Sequence, residues 1–172
     1  MTSKHLIIVR HGEAELPNAS QKDFDRQLNT TGFADASRMG KQLLSKPLNN
    51  QPIQLDSIYA SPANRALTTA QLLCEQLGFA YERIIPEPDM YETSVRKLML
   101  LINGLDEQQQ TVMLVGHNPH LSYLTEMLTR EEIGSLPTCG MAAITFEAQT
   151  WSAISGATGK LIWFSHPDSM NK

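Results

Sequence analysis

Apolar positions along this chain follow two rhythms. Continuous short runs occur at 6–9 (Leu-Ile-Ile-Val), 111–115 (Thr-Val-Met-Leu-Val) and 142–146, and 55–60 (Leu-Asp-Ser-Ile-Tyr-Ala) reads as a further strand. Runs of that length, rich in β-branched residues, fit strands buried on both faces of a sheet. Between them, apolar residues recur at helical spacing. Thr30 or Thr31 can cap a helix to about residue 45, with Phe33, Ala36, Met39, Gly40, Leu43 and Leu44 on one stripe. Ser61-Pro62 is a helix-start pair, serine at the cap and proline at the first helical position, and that helix runs to about Leu77 with Gly78 beyond its end. Further helices are predicted over about 94–105 and, opened by Asn118-Pro119, to about Leu128. A short strand is expected at 81–86, and 151–154 with 161–164 reads as a hairpin around 156–159. Strand and helix alternating four times, then strands, predict an α/β fold: a three-layer α/β/α sandwich with a mainly parallel central sheet.

Segment 14–28 has neither rhythm and is predicted to be a long loop over the sheet edge, the kind of loop that usually carries function. The tail from Pro167 is polar and reads as loose. No repeat or linker-like boundary divides the 172 residues, so 1–172 is read as a single domain. A hydrophobic fraction of 41% with 19% charged residues is that of a soluble globular protein, without an apolar stretch long enough to cross a membrane. The first residues lead into a strand without a signal-peptide apolar region, which points to a cytoplasmic protein. Cys74 and Cys139 match no metal or disulfide pattern. The formal net charge of -4 argues against nucleic acid or anionic membrane as the main partner, so any bound anion must be attracted by a local cluster of cations.

Three strand ends supply such a cluster. The first strand stops in Arg10-His11-Gly12, the glycine permitting close approach of backbone to a ligand, and the fourth stops in Gly116-His117. Arg65 falls in the first turn of the helix after the second strand. There the positive end of the helix dipole disfavours a cation unless an anion shares the space, though a solvated surface arginine is the commoner fate. If strands one, two and four lie side by side and parallel, all four side chains emerge at the carboxyl edge, where ligands bind in open α/β sheets. Two guanidinium forks, two imidazoles and helix N-termini make a phosphate pocket in which a neutral histidine can attack phosphorus. Arg26 either folds back to this site or pairs with Asp23 or Asp25 at the surface. Glu92 precedes a helix, where a carboxylate is also a plausible cap.

These motifs resemble the histidine phosphatase superfamily, also called phosphoglycerate mutase-like. Its Arg-His-Gly signature is matched by Arg10-His11-Gly12, its Ser-Pro-x-x-Arg-Ala signature by Ser61-Pro62-Ala63-Asn64-Arg65-Ala66 with Thr69 following, and its second histidine by Gly116-His117-Asn118-Pro119. The short length, Asp25-Arg26-Gln27-Leu28 and Leu136-Pro137-Thr138-Cys139-Gly140 look like the SixA-type phosphohistidine phosphatases. The resemblance implies the histidine phosphatase fold, His11 as the phosphorylated nucleophile, and phosphoryl binding by Arg10, Arg65 and His117. It adds Arg26, Gly12 and Ser61 as substrate contacts, and places Glu92 where phosphomonoesterase members keep a general acid. It implies neither metal nor cofactor.

The expected activity is a metal-independent phosphohydrolase acting on protein phosphohistidine, its partner a phosphohistidine-bearing protein such as a histidine phosphotransfer domain. A small phosphorylated metabolite, a sugar phosphate or nucleotide, is the alternative substrate, and a non-catalytic phosphate-binding module is the reading from another class. His5, His120 and His166 are expected to be structural or solvated. A metal site drawn from His11, His117 and His120 is disfavoured by the two arginines beside it.

Overall fold

Alternate residues of the first strand serve opposite faces of a sheet, which fixes the architecture. In the computed structural model, which describes residues 3–171, Ile7 and Val9 of β1 (Lys4–Arg10) pack into one apolar cluster, while Leu6 and Ile8 pack into another on the far side. The first cluster lies beneath α1 (Thr30–Leu43) and α2 (Asn64–Leu77), which pack on each other; the second lies beneath α3 (Val95–Asn103) and α4 (His120–Thr129). The strands in chain order are β1, β2 (Pro47–Leu48), β3 (Gln51–Pro52), β4 (Ser57–Ala60), β5 (Ile84–Pro86), β6 (Thr111–Gly116), β7 (Met141–Phe146) and β8 (Gly159–Ser165).

The central sheet has the order β5-β4-β6-β1-β7-β8. β5, β4, β6 and β1 run parallel, and β7 and β8 close the other side antiparallel. The predicted three-layer α/β/α sandwich is therefore the observed one, and the predicted neighbours β4, β6 and β1 are adjacent. Parallel register pairs Arg10 with Gly116 and Ala60 with Val115, so all three strands end at one level. Among the described residues no helix is long and apolar enough to cross a membrane.

Several local expectations shift for identifiable reasons. Asn29, one residue before the predicted threonines, caps α1 by accepting the Gly32 N–H at 2.8 Å. Phe33 and Leu44 fall off the buried stripe and are exposed. Residues 47–52 form a small hairpin rather than a plain helix stop, with Asn49 and Asn50 in the left-handed region that asparagine tolerates. The first helical residue of α2 is Asn64 rather than Pro62, with Ala63 at the cap, and the Ser61 hydroxyl accepts the Ala63 N–H at 3.3 Å while also bonding His117. Residues 81–83 form a 3₁₀ turn ahead of β5.

The predicted hairpin at 151–164 is replaced by a 3₁₀ turn, Trp151–Ala153, with β8 pairing to β7 instead. Trp151 is fully buried, its indole N–H donating to the Gln109 carbonyl and its backbone N–H to the Glu107 carboxylate, so that backbone donor is not available to a sheet ladder. The tail is a 3₁₀ turn at Pro167–Asn171, with Pro167 buried.

Candidate active site

The end of β1 is clamped from both neighbours. The Arg10 N–H donates to the Gly140 carbonyl at 3.0 Å and the His11 N–H to the Gly116 carbonyl at 2.9 Å, while the His11 carbonyl accepts from the Cys139 N–H at 3.1 Å. The His11 backbone is thus fixed between the ends of β6 and β7. Its ring is fixed as well: Nδ1 lies 2.7 Å from the Gly12 carbonyl. A carbonyl can only accept, so Nδ1 carries the proton and Nε2 keeps its lone pair. Burial, with the charges of Arg65, Arg10 and Arg26 acting in the same direction, pushes the His11 pKa down to about 4. The imidazole is neutral at physiological pH.

His117 stands beside it, the two ring centroids 5.1 Å apart. Burial, the neighbouring His11 and Arg65 push its pKa down to about 3. Its Nε2 is 2.7 Å from the Ser61 hydroxyl. Arg65 is 5% exposed although it carries a full charge in the first turn of α2, and its Nε has no hydrogen-bond partner. Arg10 likewise has a buried Nε without a partner, while its Nη1 donates to the Leu136 carbonyl at 2.8 Å. Orphaned buried donors are costly, and two of them on arginines that line one cleft mark a site shaped for an acceptor-rich anion. The cleft encloses about 610 Å³ and is lined by Arg10, His11, Arg26, Arg65 and His117 together with Asp23, Tyr91, Glu92, Thr93, Asn118, Pro119 and His120.

The loop at 14–28 is closed at its base by bonds between the Glu15 N–H and Gln27 carbonyl and between the Asn29 N–H and Glu13 carbonyl. It then turns through a 3₁₀ segment, Asp23–Asp25, that brings Asp23 into the cleft. One carboxylate oxygen of Asp23 accepts from Arg26 Nε and Nη2 at 3.0 and 2.9 Å; the other accepts from Arg65 Nη2 at 2.9 Å and the Tyr91 hydroxyl at 3.0 Å. The two readings of Arg26 prove to be one, since it pairs with Asp23 and lines the cleft in the same pose. Although burial opposes it, hydrogen bonding from Arg26, Arg65 and Tyr91 takes the Asp23 pKa down to about 2, so this carboxylate is charged at physiological pH.

Two predicted substrate contacts lie behind the cleft wall. The Gly12 N–H already donates to Thr69 Oγ1 at 2.9 Å, and a Cβ there would meet the Gly32 carbonyl, Leu28 and Cys139 at 3.0–3.2 Å. Its small size serves packing, and its carbonyl sets the His11 tautomer. Ser61 is fully buried and bonded to His117, so it supports that ring rather than the ligand. Glu92 lines the cleft as an exposed carboxylate but does not cap α3, because Ser94 takes that role by accepting the Lys97 N–H at 3.2 Å. His120, expected outside the site, is at its wall. Asp23 and Tyr91 were hidden in sequence: an aspartate three residues before an arginine reads as a surface pair, and only the loop's path shows otherwise. Among the described residues no three His, Cys, Asp or Glu side chains converge as metal ligands.

A sheet edge bearing two histidines, a buried arginine and a half-buried one at these spacings defines a class. The profile of the histidine phosphatase superfamily (branch 1) matches residues 6–101, and the chain belongs to that superfamily. An uncharacterised chloroplastic protein of Arabidopsis thaliana is 31% identical over 97% of this chain and 79% of its own length. The solved structure of the protein histidine phosphatase SixA complexed with tungstate superposes with a TM-score of 0.79 at 23% identity, covering 96% of this chain and 99% of that one. A SixA structure from Agrobacterium tumefaciens gives the same TM-score at 26% identity, covering 95% and 98%.

Proposed function

We propose that this protein removes phosphate from protein-borne phosphohistidine through a covalent phospho-His11 intermediate. The observation that carries the reading is the 2.7 Å contact between His11 Nδ1 and the Gly12 carbonyl, which leaves Nε2 bare among guanidinium donors. In the first step the Nε2 lone pair forms a bond to phosphorus as the bond to the substrate's imidazole nitrogen breaks, and that imidazole leaves carrying a proton. In the second, water attacks phosphorus and releases orthophosphate, and the electron pair of the P–N bond returns to Nε2. Arg10 and Arg65 hold the equatorial oxygens through their free N–H groups, and His117 contributes a further contact. Arg26 supports from the loop. Neither step calls on a metal ion.

A protonated imidazole leaves readily, so this substrate makes little demand on Glu92; a phosphate ester of an alcohol would need it as an acid. The deciding experiment assays a phosphohistidine-bearing protein domain and p-nitrophenyl phosphate, in EDTA, with the natural sequence and His11→Ala. Turnover of the phosphoprotein in preference to the ester, abolished in His11→Ala and indifferent to EDTA, is expected. Preference for the ester would shift the reading to a small-molecule phosphatase with Glu92 as its acid. A fully active His11→Ala protein would overturn the mechanism.

A further inference from the structure

The charges of the cleft are layered by depth. Arg65, with only 6% of its side chain accessible, and the largely buried His11 form the floor, whereas the Asp23 carboxylate is 52% accessible and Glu92 is exposed. In-line displacement from His11 Nε2 drives the leaving group away from the floor, toward those carboxylates. The count of charges is tight. Three arginines line the cleft against two carboxylates, leaving one net positive charge to meet a phosphoryl dianion, and no lysine lines it. Arg26 is largely committed: two of its N–H groups donate to Asp23 and one to the Glu15 carbonyl, and its charge is matched by the Asp23 carboxylate. An anionic leaving group would therefore meet the rim with no cation to receive it, while a neutral or cationic one would meet complementary charge.

We infer that Asp23 and Glu92 form a carboxylate rim that selects substrates by the charge of the leaving group, admitting phosphoryl groups carried on neutral or cationic nitrogen or oxygen and rejecting those carried on carboxylate-bearing molecules. The inference deepens the phosphohydrolase reading and rests on the same cleft. It assigns Asp23 two tasks, since the carboxylate that repels an anionic leaving group also orients the Arg65 and Arg26 forks from which the phosphoryl group hangs. It further separates this cleft from one suited to phosphorylated acids, for which the rim would have to carry cations.

The test uses three phenyl phosphates that differ only in the para substituent: carboxylate, methyl and aminomethyl. Their dissociation constants are measured by calorimetry at low ionic strength on His11→Ala, which cannot turn them over and keeps the cleft charge unchanged. The aminomethyl ester is expected to bind at least tenfold more tightly than the carboxylate ester. Adding Asp23→Asn or Glu92→Gln should each reduce that ratio on the order of fivefold, the size expected of one partly screened charge several ångströms away. Because Asp23→Asn also loosens two arginines, Glu92→Gln, outside that network, isolates the effect of charge. Equal affinities for the three esters, or a ratio within twofold of the parent in the double variant Asp23→Asn/Glu92→Gln, would overturn the inference. Turnover of p-nitrophenyl phosphate by the natural sequence reports separately on the hydrolytic reading, so either idea can fail without the other.

Discussion

Two imidazoles kept neutral by burial have consequences in both chemistry and stability. For His11, with its pKa pushed down to about 4, the ring we propose as the nucleophile stays unprotonated through the mildly acidic range. The enzyme-borne acid limb of kcat/KM is therefore expected near pH 4 rather than near the ordinary histidine value, measured with a substrate that does not itself titrate in that range. The stability consequence follows from the same lowered values. Unfolded, both histidines would take up protons as pH falls through about 6.5, whereas folded they resist until about 4 and about 3. Their contribution to stability is thus complete above pH 6.5 and is lost progressively below it. Thermal melts between pH 7 and 4 should show a falling midpoint, and a His11→Asn/His117→Asn variant should show a shallower fall. Arg65 offers a sharper test of recognition. Arg65→Lys keeps a cation but loses the planar fork that serves Asp23 on one side and the cleft on the other, and should lower kcat/KM at least on the order of a hundredfold in steady-state assays. These residues were legible in sequence because each ends a recognisable strand or opens a recognisable helix. Asp23 was not, since its meaning depends on where an irregular loop doubles back.

At the scale of elements, the site depends on how closely α1 approaches the segment after His11. A Cβ on Gly32, in the first turn of α1, would lie 2.1 Å from the Glu13 carbonyl oxygen, a backbone atom that cannot swing away. Gly32→Ala must therefore push α1 off the strand end. A loss on the order of 3 kcal/mol is expected, read as a lower urea midpoint. Periodicity revealed α1 to α4 and the buried strands β1, β6 and β7, because each buries a face whose pattern is local. It misplaced the Trp151 segment, since Trp151–Ala153 is held by Glu107 and Gln109, some forty residues earlier in the chain. Phe33 and Leu44 mark the same limit: helical spacing gives the stripe, but only the neighbouring helix decides how wide it is.

Across the whole molecule, the chemistry sits at one end of the sheet and a buried ion anchors the other. Lys4 has no exposed surface; its ammonium donates to the Glu107 and Gln109 carbonyls at 2.6 and 2.8 Å and lies 5.6 Å from the centre of the Trp151 ring. Replacing it with methionine would strip the donor from two carbonyls, at a cost on the order of 2–4 kcal/mol in denaturant unfolding. Arg10 is six residues along the same strand, about 20 Å away. Lys4→Met should thus lower stability while leaving the KM for any accepted substrate unchanged at a temperature where the protein is folded. The overall negative charge misdirects a reader of composition, for the cleft's single surplus positive charge is local and invisible in the total. The three-layer arrangement, by contrast, was readable from alternation alone.

The tied base of the 14–28 loop has one further implication. Because Glu15 and Gln27, and then Glu13 and Asn29, are joined across its neck, the entropy of closing that loop is met by the neck and changes little with the length of what it encloses. The segment can be regarded as a cassette held at two fixed ends: the sheet edge and α2 supply the floor of the cleft, and the loop supplies one side of its mouth. Swapping residues 16–22 for a segment of different length and charge, with Asp23 and Arg26 kept to hold Arg65, would be the natural way to reshape the mouth of the cleft without rebuilding its floor.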